Sequence, residues 1–103
     1  MKIIYIVVKD KEEAKKIGKF LIEERLAACI NYFPINSIYR WEGKIEKGGE
    51  VGMLVKTRED LVEKVIEKVK ERHSYKVPCV VCLKVEQGNK DFLEWIKKET
   101  ERE

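Results

Sequence analysis

The sequence predicts an α+β fold: a ferredoxin-like βαββαβ sandwich with a short C-terminal helix. Three observations carry this. Four β-branched and aromatic runs lie at residues 2–9, 28–41, 50–56 and 79–86. Two stripes of helical period separate them, one after the first run and one before the last. The whole fits in 103 residues, room for two split βαβ units sharing one antiparallel sheet with two helices on one face. We read residues 1–103 as a single domain.

The first run, KIIYIVVK, is a strand. Asp10 then offers an N-cap and Glu13 stands at the third helical position, as in a capping box. Ala14, Ile17, Gly18, Leu21 and Ile22 form the apolar stripe of the first helix, which should end near Leu26. Ala28–Trp41 is the second strand, in which Pro34 calls for a break, a bulge or an edge position. Lys47-Gly48-Gly49 reads as a turn, Glu50–Lys56 as the third strand, and residues 35–56 as a long hairpin with a bulge at Gly43. Thr57 caps a second helix with Leu61, Val62, Val65, Ile66 and Val69 on its apolar side. Pro78 precedes the fourth strand, Cys79–Glu86. Asn89 caps a last helix bearing Phe92, Leu93, Trp95 and Ile96, and the polar tail Lys97–Glu103 should fray.

The strands are apolar on both faces, with Ile4, Ile6 and Val8 on one side of the first and Ile3, Tyr5 and Val7 on the other. A half-solvated antiparallel sheet alternates apolar and polar residues instead. Two helices cover one face, so the second is expected to be hidden by self-assembly. The short last helix is the alternative cover.

Composition excludes several classes. The chain carries 22 Lys+Arg against 19 Asp+Glu, and so balanced a mixture lacks the one-signed patch of a nucleic-acid binder. No apolar run reaches the ~18 residues of a membrane span, and the opening apolar segment is shorter than a signal peptide's core. A cytoplasmic location is therefore expected. Enrichment in Lys and Glu, with few amides, resembles the composition of hyperthermophile proteins.

Cys29, Cys79 and Cys82 are an odd count, against a disulfide framework. Cys79 and Cys82 form a CxxC, but on a strand positions i and i+3 point to opposite faces about 10 Å apart. They are expected to be small buried hydrophobes rather than a redox or zinc pair. Cys29 reads either as packing or as a soft ligand or reactive thiol. His73, the one histidine, reads either as a helix-end cation or as part of a site with Tyr75. Tyr39 and Trp41 share a strand face and could pair across a hairpin or line a cleft. No nucleophile–base–orienter set assembles, so no catalysis is assigned.

The segments ERLAACIN at 24–31, SIYRWEGKIE at 37–46, Glu50-Val51, Lys56-Thr57-Arg58 and HSYKVP at 73–78 resemble the CutA divalent-cation tolerance family. The resemblance runs from the first strand to Trp95-Ile96. It implies a ferredoxin-like subunit in a tight homotrimer, a cytoplasmic location and a role in the response to metal ions, copper above all. On it we expect a ligand cleft between subunits formed by Tyr39, Trp41, Glu42, Lys44, Lys56 and Tyr75. No cofactor is obligatory, and a divalent ion such as copper is expected at Cys29 and His73, the thiolate and imidazole donors that late transition metals select. The expected partners are further copies of the chain and a divalent cation or small ligand, with no nucleic acid and no membrane. The alternative is a trimeric signalling or scaffold module, similar to the PII proteins, that binds a small metabolite; a third reading makes Cys29 a nucleophile. The chain departs from the family's pattern at Ser74, usually proline, and at Lys76 and Cys79, usually glutamates. Paired adjacent histidines, which bind copper in some members, have no counterpart beside His73.

Overall fold

The computed structural model describes residues 1–102. Among them, strands β1 (Lys2–Val8), β2 (Cys29–Trp41), β3 (Lys44–Thr57) and β4 (Cys79–Lys84) form one antiparallel sheet in the order β2-β3-β1-β4. Helices α1 (Lys11–Glu23) and α2 (Val62–Arg72) pack on one face of it. Ala14, Ile17 and Leu21 of α1 and Val65 and Val69 of α2 meet Ile4, Ile6, Val8, Met53 and Val55 in the buried core. Ile22, expected in the α1 stripe, is 42% exposed.

Asp10 caps α1 as expected, its Oδ1 accepting from the Glu13 N–H at 2.9 Å. The Glu13 carboxylate does not complete a capping box on the Asp10 N–H; it takes the Lys9 N–H at 3.1 Å. Thr57 is not a helix cap. It ends β3, fully buried, and its hydroxyl donates to the Leu26 carbonyl at 2.6 Å, tying the sheet to the chain leaving α1. A 3-10 turn, Glu59–Leu61, leads into α2 without a side-chain cap.

The hairpin differs most from expectation. Its turn is Glu42-Gly43, not Lys47-Gly48-Gly49, and Gly43 is no bulge. Glu42 and Gly43 have φ of 49° and 79°, the two positive values a tight two-residue hairpin turn demands. Gly48 and Gly49 lie within β3, opposite Ser37 and Asn36. The β2–β3 ladder therefore runs unbroken from Cys29 opposite Lys56 to Trp41 opposite Lys44. β1 pairs with β3 only from Val51 to Thr57, so residues 35–50 project beyond the sheet as a two-stranded arm. Pro34 sits on edge strand β2, where a missing donor is tolerated.

Directly opposite residues share a face, so the register defines the side away from α1 and α2. It carries rows Cys29–Lys56–Ile3–Leu83, Asn31–Leu54–Tyr5–Val81 and Phe33–Gly52–Val7–Cys79. Helix α3 (Lys90–Glu99) reaches only the end of this face, where the Lys56 ammonium lies 5.5 Å over the Phe92 ring. Val81 and Leu83 stay 47% and 46% exposed, so α3 does not cover the face. The segment Lys97–Glu99 is helical and Thr100 is fully buried, its hydroxyl donating to the Ile96 carbonyl at 2.8 Å, so fraying does not begin at Lys97. Glu103 lies outside the described residues.

Candidate ligand-binding cleft

The arm and the segment after α2 enclose one cavity of about 780 Å³ against the open sheet face. The pleat builds its first wall. Ile35, Ser37, Tyr39 and Trp41 alternate along β2 on one face, and Glu50 stands opposite Ile35 on the same face of β3. Tyr5, Val7 and Cys79 continue that wall across β1 and β4. Tyr75, Lys76 and Val77 form the second wall. The two walls meet where the Tyr75 hydroxyl donates to Glu50 Oε2 at 2.7 Å. Burial first, then the carboxylate it meets, hold the Tyr75 phenol well above its ordinary range, so it stays a donor.

His73 fixes the second wall from below. The Tyr75 N–H can only donate, so the His73 Nδ1 it meets at 3.0 Å is the acceptor. Nε2 therefore carries the proton and donates to the Val7 carbonyl at 2.7 Å. This is a neutral imidazole with both nitrogens engaged, not a helix-end cation. Ser74 is anchored in turn: its N–H and hydroxyl donate to Glu13 at 2.8 Å and 3.0 Å. Burial works against the Glu13 charge, but the hydrogen bonds from Lys9 and Ser74 outweigh it and hold the carboxyl below its ordinary value of 4.5.

Of the residues expected in a cleft, Tyr39, Trp41 and Tyr75 line this cavity. Glu42 and Lys44 stand at the tip of the arm and Lys56 lies under Phe92, all outside the lining. Cys29 and His73 are not brought together within the chain. Cys29 shares a row with Ile3, whereas His73 binds the carbonyl of Val7, four residues and about 13 Å further along β1. Among the described residues no three His, Cys, Asp or Glu side chains converge to hold a metal. The CxxC cysteines do lie on opposite faces, Cys79 beside Val7 and Cys82 beside Ile4, but both are exposed on edge strand β4 rather than buried. Although the residue is exposed, its sulfur is partly desolvated against the cleft wall; this, then Glu50, pushes the Cys79 thiol up, away from the reactive thiolate.

Glu50, Tyr5 and Glu13 were not singled out as site residues from the sequence. The signal for Glu50 was present: a carboxylate heading the apolar run VGMLV. Placing the turn at 47–49 left it without the partner row that puts it opposite Ile35 and on the face of Tyr75.

Comparison with known proteins decides the family. Residues 2–99 match the family model described as CutA1 divalent ion tolerance protein. The chain belongs to the CutA family. The divalent-cation tolerance protein CutA of Archaeoglobus fulgidus is 48% identical over 98 residues, spanning 95% of this chain and 96% of that protein. The crystal structure of CutA1 from Pyrococcus horikoshii superposes with a TM-score of 0.95 at 44% identity, covering 99% of this chain and 100% of the other. The expected cytoplasmic location is overturned by this family's spread. The A. fulgidus structure, with a TM-score of 0.95, 47% identity and coverage of 98% and 100%, is described as a periplasmic CutA. A CutA of rice, 42% identical over 95% of this chain and 56% of its own length, is chloroplastic.

Proposed function

We propose that this CutA chain works as a homotrimer in which neighbouring copies cover the open sheet face, and in which the cavity between arm and Tyr75 persists as a cleft for a small ligand. Its part in divalent-cation tolerance runs through binding at that cleft, not through catalysis. The observation that carries this is the open face itself. Tyr5, Leu54, Val81 and Leu83 form a continuous apolar surface, and the other face of the arm exposes Ile38 by 67% and Ile45 by 62%. Apolar surface on this scale is stabilised by association, and closed symmetric assembly is the usual solution.

A second reading, a copper-like ion held directly, draws on the family's description. It needs donors from a neighbouring copy, because Cys29 stands apart from His73 and His73 has no free nitrogen.

Sedimentation velocity from nanomolar to micromolar concentration tests the assembly, with a single trimeric species expected. A monodisperse monomer across that range overturns it. A melting screen against small organic ions and divalent metals tests the cleft: ligands of the folded state raise the melting temperature with concentration.

A further inference from the structure

The chemistry lining the cleft has a preference that the family's description does not state. Its rings are Tyr5, Tyr39, Trp41 and Tyr75, and its innermost charged group is Glu50. Glu50 Oε2 accepts the Tyr75 hydroxyl, and among the described residues no cation pairs with this carboxylate. Lys76, the other charged side chain of the lining, is exposed at the rim and is not paired with Glu50. A half-buried carboxylate without a counter-charge, hydrogen-bonded to one aromatic ring in a cavity whose lining holds three more, attracts a cation that also has apolar surface. A hard divalent ion is poorly served there, since it takes about six oxygen ligands and the cavity offers one carboxylate. A substituted ammonium is well served: its charge faces Glu50 and its carbon atoms lie on the rings.

We propose that the cleft binds a small organic cation, a quaternary or alkyl ammonium group, with Glu50 as counter-ion and Tyr39 and Tyr75 as aromatic walls. This rests on the reading of the cavity as a ligand cleft in the assembled protein. Trp41 lies in the lining and Trp95 is on α3, so the Trp95→Phe protein reports the cleft by Trp41 fluorescence.

The test titrates that protein, in its native assembly and at constant ionic strength, with choline, with 3,3-dimethyl-1-butanol, its neutral isostere, and with glycine betaine, its zwitterionic relative. Calorimetry on the unsubstituted protein accompanies the fluorescence. Choline is expected to bind saturably and at least tenfold more tightly than the neutral isostere. Glu50→Gln, which keeps the shape, should abolish that difference, and Tyr39→Leu should weaken choline several-fold while the protein stays folded. Equal binding of choline and the alcohol, or tighter binding of betaine that is lost in Lys76→Gln, overturns the cation inference and leaves the cleft standing. No saturable binding by any of the three overturns the inference; if the melting screen also finds no ligand, the cleft reading falls with it.

Discussion

The carboxylate of Glu13, in the first turn of α1, accepts two hydrogen bonds from Ser74, which lies 61 residues further along the chain. One comes from the Ser74 N–H and one from its hydroxyl, and a third arrives from the Lys9 N–H. The carboxylate of a residue only 8% exposed thus clamps the segment bearing Tyr75 to the start of the first helix.

This clamp should appear in the pH dependence of stability. The folded-state carboxyl of Glu13 titrates below its ordinary value of 4.5. Its contribution is fully present above that pH and is lost as pH falls through the depressed folded value. Glu13→Gln should flatten this acid limb and cost about 2 kcal/mol at neutral pH, in the range for hydrogen bonds to a charged group. The amide can replace one oxygen, but its NH2 then faces the donating Ser74 N–H. Chemical denaturation of both proteins from pH 3 to 7 checks this, and identical slopes would refute the clamp.

His73→Ala should cost about 2 kcal/mol through the loss of two backbone partners, and should leave a copper titration unchanged. The imidazole has no free nitrogen to give a metal. Calorimetric isotherms of the two proteins decide it; a weaker isotherm in the variant would show that His73 leaves its backbone partners to bind metal.

Gly52→Ala should destabilise by roughly 1–3 kcal/mol, the usual cost of overpacking. A Cβ at position 52 would stand 2.8 Å from Cε2 of Phe33 and 3.1 Å from its Cζ, so the ring that covers the glycine must move. A Gly52→Ala, Phe33→Leu pair should recover part of the loss in thermal melts, and strict additivity would count against the contact.

The two β4 cysteines should separate chemically in the native assembly. Cys82 stands beside Ile4 at the edge of the helix-covered side, while Cys79 stands beside Val7 in the wall of the cleft. Iodoacetamide at neutral pH should alkylate Cys82 well before Cys79, whose thiol is also pushed up by burial. Peptide mass spectrometry reads the order, and equal rates would argue that the Cys79 thiol is not held up by its surroundings.

Much of this molecule was legible because its signals are local. Asp10 before a charged first turn, Ala14–Ile17–Leu21 at helical spacing and the double-sided Ile/Val strands each fix an element without long-range information. The apolar second face of the sheet was equally visible in the alternation of Ile3, Tyr5 and Val7. The hairpin turn was not: two glycines at 48–49 outweigh one at 43 on propensity, whereas the ladder chooses the turn that pairs Trp41 with Lys44 and leaves no residue unpaired. That shift of register hid Glu50. The state of His73 was hidden differently, since its partners are backbone atoms of Val7 and Tyr75 and leave no trace in side-chain identity. Thr57 looked like a cap because its hydroxyl does find a backbone partner, but the partner is the distant Leu26 carbonyl.

The tight Glu42-Gly43 turn also bears on the order of events in folding. Closing a two-residue loop costs little chain entropy, and hairpins form in about 1–10 μs, faster than most domains fold. Every ladder partner of residues 35–50 lies within the same hairpin. The arm can therefore zip from its tip with its register already set, while β1 and β4 must wait for encounters between distant parts of the chain. In the proposed trimer, neighbouring copies would meet a preformed ribbon, so subunit association should be rate-limited by collision at low concentration and not by ordering of the arm.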